Sequence, residues 1–165
     1  MLFPHDYRSE CGKFGLRISE KQQVALISFC QQAGGIETGG ILLGRYIEAD
    51  SCALVTSVTG PPRDSKRTRF TFQRGVHGLQ RLLDQLWRRN KAYYLGEWHY
   101  HPAPAPTASA QDNAQMQEIA GSEKYGCPEP LLLIASWGDN SKDLRLSVSV
   151  HRSNHLPLPL KAEID

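Results

Sequence analysis

The stretch Gly96-Glu97-Trp98-His99-Tyr100-His101-Pro102 places two histidines one residue apart on an extended segment. Side chains alternate between the two faces of a strand, so His99 and His101 share one face and Tyr100 lies on the other. Asp112 follows eleven residues after His101, beyond a short loop. Two imidazoles and a carboxylate leave a fourth tetrahedral position for water, as catalytic zinc sites do. The stretch therefore predicts a zinc site and hydrolytic chemistry.

Other readings of these residues remain open when each is taken alone. A histidine pair on a strand also arises from packing, and Ser109 to Asp112 is also an ordinary helix capping box. A cupin-type site needs a glutamate about four residues after the pair, where Ala105 and Pro106 stand, and a further histidine. A three-histidine site has no obvious third ligand. The remaining histidines are interpreted as surface or core residues: His5, His77, His151 and His155.

Length and composition indicate one domain covering residues 1–165, and two prolines indicate a surface arm at 152–165. The net charge of +2 gives no reason to expect nucleic acid as a partner. No run of 18 apolar residues and no leader pattern occurs, so we expect a cytoplasmic protein without a membrane segment. The four cysteines lack a paired spacing and are expected to be buried free thiols: Cys11, Cys30, Cys52 and Cys127.

Hydrophobic periodicity predicts an alternation of strands and helices, and hence α/β or α+β architecture. Three helices are expected, beginning at Ser19, near Leu79 and at Ser109, and ending at Gly34-Gly35, near Asn90 and at about Ala120. Seven strands are expected, at 12–18, 41–47, 52–58, 69–72, 93–101, 131–137 and 144–150.

Several local features carry their own expectations. Ser19 and Gln22 are predicted to form a capping box, and residues 48–51 to form a hairpin turn. Phe70 and Phe72 are predicted to share one strand face. Adjacent glycines at 39–40 indicate close backbone approach beside the site, and not a phosphate loop. One group of basic residues is interpreted as a solvated loop, with guidance of a partner as the alternative: Arg63, Lys66, Arg67, Arg69 and Arg74.

The pattern HxHP, six intervening positions, Ser, two positions and Asp, with Glu37-Thr38-Gly39-Gly40 upstream, resembles the JAMM or MPN+ metalloprotease family. That resemblance implies an α/β MPN fold with a core at about 12–151. The fold is similar to that of cytidine deaminases, with a mixed β-sheet flanked by helices. The run from Gly96 to His99 is similar to a bacterial branch that includes the deconjugating peptidases of CBASS antiphage systems. Tyr100 departs from the serine or threonine that many eukaryotic members have between the histidines.

The resemblance also implies roles for five residues. His99, His101 and Asp112 would bind one zinc ion per chain. Glu37 would be the general base that takes a proton from the attacking water and gives it to the leaving amine. Ser109 would donate a hydrogen bond to the developing oxyanion.

By the same resemblance, the substrate is a protein with an extended C-terminal tail: a ubiquitin-like modifier, or a cGAS-like nucleotidyltransferase joined to other proteins. We expect the tail to dock by strand addition near Ile41 and Val58, beside the segments 60–69 and 121–130. The alternatives are a processing peptidase of another bacterial ubiquitin-like or sulfur-carrier system, and a metal-free MPN scaffold.

Overall fold

A computed structural model of the chain describes residues 4–49, 51–138 and 143–163. The helices in these ranges are α1 (Glu20–Ala33), α2 (Leu79–Asn90) and α3 (Ala110–Gly121). The strands are β1 (Asp6–Arg8), β2 (Gly15–Ile18), β3 (Thr38–Ile47), β4 (Cys52–Val58), β5 (Lys66–Arg67), β6 (Phe72–Gln73), β7 (Tyr93–Tyr100), β8 (Leu131–Trp137), β9 (Leu144–Val150) and β10 (Leu158–Ala162).

Eight strands close into a barrel in the order β1-β10-β9-β8-β7-β3-β4-β2, and β2 pairs back with β1. The pairs β2–β4 and β7–β8 are parallel, whereas the other neighbours are antiparallel. β5 and β6 form a separate two-stranded hairpin. The mixed sheet with helices agrees with the predicted class, but closure of the sheet was not predicted.

The helices cover opposite faces of the sheet. Leu26 of α1 packs with Trp98 and Tyr100 of β7 in one buried cluster. Met116 of α3 packs with Ile134 of β8 in a second cluster, against which the leucines of α2 lie half-buried. Tyr100 therefore faces α1, away from the sheet face that α3 covers, as the alternation along β7 predicted.

Most element positions predicted from periodicity are confirmed. The strands at 52–58, 131–137 and 144–150 have the expected bounds, and α2 runs from Leu79 to Asn90. Of the turn predicted at 48–51, residue 50 lies outside the described residues. All four cysteines are free, and three are buried while Cys11 is exposed. No helix in the described ranges has the length and apolarity needed to cross a bilayer.

The predicted capping box at the start of α1 is wrong. Ser19 is the N-cap residue, but its side chain makes no capping hydrogen bond. The side-chain amide of Gln22 instead donates to the Thr56 carbonyl of β4, at 2.9 Å. The Gln22 side chain thus bonds to the neighbouring strand, and not to the start of its own helix as the local pattern predicted.

The strand predicted at 69–72 is also misplaced. The backbone N–H of Thr68 donates to the carbonyl three residues on and closes a turn between β5 and β6. Phe72 begins β6 and is buried against the ring of His99, whereas Phe70 at the turn is 80% exposed. The two phenylalanines therefore do not share a face.

The surface arm predicted at 152–165 is wrong for its central part, which belongs to the barrel. Its residues 158–162 form β10, which pairs with β9 on one side and with β1 on the other. The Leu160 side chain belongs to the buried cluster beneath α1. Pro159 is tolerated because β1 pairs only with positions 161 and 162, leaving that edge unpaired at the proline.

The barrel leaves no free strand edge at Ile41, where strand addition was predicted. β3 lies between β4 and β7, so it is paired on both sides. β4 pairs with β2 only through residues 52–55, so strand addition near Val58 stays a prediction. The β5–β6 hairpin also has unpaired edges, because that sheet has two strands only.

A matched pair of leucines tests the position of the C-terminal segment. Leu160 is buried in the barrel, and Leu156 in the same segment is 87% exposed. We expect Leu160→Ala to lower the free energy of unfolding by about 2–5 kcal/mol, because it empties a packed position. Leu156→Ala should change it by less than about 0.5 kcal/mol. Denaturant unfolding of both variants measures this free energy. Equal small effects would show that Leu160 does not occupy a packed position in the barrel.

Candidate metal centre

The three predicted ligands lie together at one end of the barrel. His99 belongs to β7, His101 follows its last residue, and Asp112 lies in the first turn of α3. One ligand atom from each residue lies within 4.8 Å of the other two, and all three side chains are buried. This group can hold a metal ion, and its nitrogen, nitrogen, oxygen donors suit zinc.

The start of α3 fixes the position of the carboxylate. Ser109 is the N-cap residue, and its Oγ accepts a 3.1 Å hydrogen bond from the backbone N–H of Asp112. The Asp112 Oδ2 atom accepts in return from the Ser109 backbone N–H and from its hydroxyl, both at 2.7 Å. The capping box and the metal centre are therefore built from the same two side chains.

In each histidine, one ring nitrogen faces the other ligands, and the second nitrogen contacts an oxygen outside the centre. His99 Nδ1 lies 2.8 Å from Asp112 Oδ1, and His101 Nε2 lies 3.3 Å from Asp112 Oδ2. Behind the centre, His99 Nε2 contacts Glu97 Oε2 at 3.2 Å, and His101 Nδ1 contacts the Thr107 carbonyl at 3.0 Å. Metal-binding histidines are held in this way, so the residues fit a metal ion.

The electrostatics of the centre keep the carboxylate ionised. Burial raises the pKa of Asp112, but hydrogen bonds to His101 and His99 hold it well below its usual range. Burial lowers the pKa of His99, but hydrogen bonds to Asp112 and Glu97 raise it to about 9. A metal ion would take the place of a proton shared among these groups, so metal binding here competes with protonation.

The adjacent glycines bring β3 against the histidine strand. Gly39 pairs with His99, and a Cβ at Gly39 would overlap the Trp98 carbonyl and lie 2.9 Å from His99 Cδ2. A Cβ at Gly40 would overlap the Thr59 carbonyl. Close backbone approach beside the site, predicted from the sequence, is thus confirmed.

Glu37 lies at the edge of the centre. Thr38 pairs with Tyr100, so Glu37 comes level with His101 at the end of the ladder. Its backbone N–H donates to the Thr68 carbonyl of the β5–β6 hairpin at 2.8 Å. Burial raises the pKa of the partly buried Glu37, Asp112 raises it further, and the two histidines lower it.

Glu97 had no predicted role, and the interpretation of Arg74 as part of a solvated loop is wrong. Arg74 was grouped with a solvated loop, but its side chain is only 4% exposed and its Nε donates to Glu97 Oε1 at 2.8 Å. Glu97 itself is fully buried behind His99. One signal was available, because Glu97 stands two residues before His99 and therefore on the same strand face. No local pattern joins Arg74 to it across 23 residues.

Two comparisons of the sequence with known proteins agree with this architecture. A family model described as prokaryotic homologs of the JAB domain matches residues 19–148. A CD-NTase/cGAS isopeptidase of Enterobacter hormaechei subsp. hoffmannii (strain UCI 50) is 40% identical over 155 residues, covering 94% of this chain and 85% of that protein. A CD-NTase/cGAS isopeptidase of Escherichia coli (strain TW11681) is 34% identical over 79 residues, 46% of this chain and 49% of that protein.

A solved structure shares the fold. The solution structure of a protein from Desulfitobacterium hafniense superposes with a TM-score of 0.63 at 19% sequence identity, and the match covers 90% of this chain and 89% of that one. At this level of identity the likeness concerns the arrangement of strands and helices alone.

The donor set leads to a prediction about metal content. We expect about one zinc ion per chain in protein purified without chelator, and its loss in His101→Ala and Asp112→Ala, since each removes a donor. His77→Ala, at an exposed histidine outside the centre, should keep the metal. Elemental analysis of freshly purified protein measures this, and zinc-free wild type would contradict it.

Proposed function

Because the chain belongs to the family of prokaryotic JAB domains, we propose that it is a zinc-dependent isopeptidase. It releases a cGAS-like nucleotidyltransferase from proteins to which the C-terminus of that enzyme has been joined, in antiphage defence. One observation carries the proposal: the chain resembles a CD-NTase/cGAS isopeptidase over nearly its whole length. Retention of the complete donor set His99, His101 and Asp112 argues against a metal-free scaffold.

In this proposal His99, His101 and Asp112 would bind a zinc ion, and their hydrogen bonds to neighbouring groups keep them in place. A bound zinc ion supplies an activated water and polarises the scissile carbonyl. Asp112 keeps its charge, and Ser109 fixes its direction through the capping box. Because the donors are already gathered and buried, little rearrangement is needed to bind the ion.

Glu37 moves the proton. The pKa of Glu37 is raised toward neutral pH. A group whose pKa lies near the working pH can both accept a proton and return it. In the reaction, Glu37 takes a proton from the attacking water and delivers it to the lysine amine as the isopeptide C–N bond breaks. The products are a free lysine amine and a free C-terminal carboxylate.

Ser109 stabilises the oxyanion that develops on the scissile carbonyl oxygen. Its hydroxyl donates to Asp112 Oδ2 at 2.7 Å and must rotate toward the substrate to take this role. Oxyanion donors contribute about 2.7–4 kcal/mol to catalysis in comparable sites. The backbone N–H of Ser109 also donates to Asp112, so the carboxylate keeps one capping bond when the hydroxyl turns.

The substrate tail docks on the β5–β6 hairpin. Three contacts attach this hairpin beside the centre: Phe72 against the His99 ring, the Thr68 carbonyl on the Glu37 N–H, and Arg67 on the Thr38 hydroxyl at 3.0 Å. Its unpaired edges offer backbone hydrogen bonds to an extended tail, as strand addition requires.

The role of Glu37 predicts a loss of rate without loss of metal. Glu37→Ala and Glu37→Gln should lower isopeptide cleavage by about 10²–10⁴-fold, since they remove the proton carrier, and should leave zinc content and melting temperature nearly unchanged. Glu123→Ala, at an exposed glutamate, is the matched control. Single-turnover cleavage and elemental analysis measure both properties. A Glu37 variant retaining more than about a tenth of the wild-type rate contradicts the assignment.

The docking model predicts small residues next to the scissile bond. The last residues of the tail must approach Glu37 and the buried centre past Phe72, whereas backbone pairing further from the bond makes no demand on side chains. We expect bulky residues at the C-terminus of the nucleotidyltransferase to slow cleavage of its isopeptide conjugate at least tenfold. The same bulky residues placed upstream in the tail should have little effect.

Mass spectrometry of the products locates the cut. Release at the lysine amine supports an isopeptidase. Cleavage of a linear precursor but not of the isopeptide conjugate would favour the processing-peptidase alternative. Cleavage at internal sites, or equal tolerance of bulky residues beside the bond, would indicate a general peptidase and sink the proposal.

A further inference from the structure

We propose that Glu97 is a positioning residue that fixes the tautomer of His99, and so determines which nitrogen of that ring can bind a metal ion. The inference rests on the metal centre of the proposed function. It assigns a role to the buried carboxylate behind His99, which the sequence pattern of ligands, base and serine does not use.

The hydrogen-bonding capacity of Glu97 and His99 determines where the ring hydrogen sits. Glu97 Oε2 lies 3.2 Å from His99 Nε2, and an ionised carboxylate can only accept a hydrogen bond. Asp112 Oδ1 is an acceptor of the same kind at Nδ1, 2.8 Å away. When a metal ion engages Asp112, Glu97 is the acceptor that remains, so the hydrogen of the neutral ring would then sit on Nε2. The lone pair is then left on Nδ1, the nitrogen that lies 2.8 Å from Asp112 Oδ1 and faces the centre.

The groups around Glu97 stabilise its ionised carboxylate and hold it against the His99 ring. Arg74 Nε donates to Oε1 at 2.8 Å, the Tyr94 hydroxyl lies 3.4 Å from the same oxygen, and Gln115 Nε2 lies 3.5 Å from Oε2. All three are donors. The Arg74 guanidinium is a cation, so its contact with Oε1 stabilises Glu97 as a carboxylate.

Arg74 is itself held at two further points, which makes the arrangement rigid. Its Nη1 donates to the Gly75 carbonyl and its Nη2 to the Tyr125 hydroxyl, both at 2.9 Å. A continuous set of hydrogen bonds thus runs from Tyr125 through Arg74 and Glu97 to the ring of His99.

The second histidine shows why this dependence belongs to His99. The outer nitrogen of His101 contacts the Thr107 carbonyl, a backbone acceptor that no side-chain substitution removes. The outer nitrogen of His99 contacts a side chain. The tautomer of His99 can therefore be changed by one isosteric substitution, which makes the role of Glu97 testable.

Glu97→Gln separates positioning from packing. The amide keeps the shape of the carboxylate, and its oxygen can still accept from Arg74. Its NH₂ group then faces His99 and offers a donor to Nε2, which favours the ring tautomer with hydrogen on Nδ1. We expect the zinc affinity of Glu97→Gln to fall about 10–100-fold, as seen when outer partners of metal-binding histidines are lost.

Tyr100→Phe is the matched control. It removes a partly buried 2.8 Å hydrogen bond, from the Tyr100 hydroxyl to the Gly34 carbonyl, on the opposite face of the same strand. We expect it to lower the melting temperature of the metal-free protein and to leave zinc affinity within about twofold of wild type. A merely structural Glu97 would behave like this control.

Two measurements on the full chain test the proposal. Competition with a chromophoric chelator gives the zinc dissociation constants of wild type and both variants at one pH. Long-range ¹H–¹⁵N correlation spectra of zinc-loaded wild type should show the hydrogen of His99 on Nε2. This second readout keeps the proposal testable if Glu97→Gln fails to fold.

Zinc binding by Glu97→Gln within twofold of wild type, or a hydrogen on Nδ1 of His99 in wild type, would overturn the role of Glu97 alone. Failure of wild type to bind zinc would overturn the metal centre on which it rests. Neither measurement depends on cleavage of the proposed substrate.

Discussion

The carboxylate of Asp112 joins the start of α3 to the end of β7, and the arrangement of the centre depends on it. The same side chain caps the helix through Ser109 and contacts both His99 and His101. A change that shifts α3 must therefore move a ligand, and a change at the ligand must weaken the helix start, where a lost cap costs about 1 kcal/mol. The helix start and the donor set therefore depend on the same side chain.

A second constraint lies beneath the first. Arg74 and Glu97 form an almost fully buried ion pair, and such pairs add little stability compared with apolar packing. Removing one partner is costly, at about 3–5 kcal/mol, because the other charge stays buried without compensation. The pair is thus better explained by what it holds in place than by the stability it adds.

The amino-acid sequence alone determined most of the local structure and the donor set. The leucine spacing at 79–86 and the alternation at 144–150 depend on the sequence-neighbour geometry of helices and strands, so they could be predicted without knowing any distant partner. The histidine pair shares a strand face for the same reason, and Asp112 lies at the predicted helix start.

Only the tertiary structure decided which distant segments meet. Residues 158–162 contain a proline and look like a poor strand, yet they close the barrel, because pairing depends on partners more than 100 residues away in β1. Gln22 was predicted to cap its helix but donates to a strand carbonyl. Arg74 was predicted to lie in a solvated loop but donates to Glu97. In each case a contact between remote residues outweighed the local preference, and spacing along the chain carries no record of such a contact.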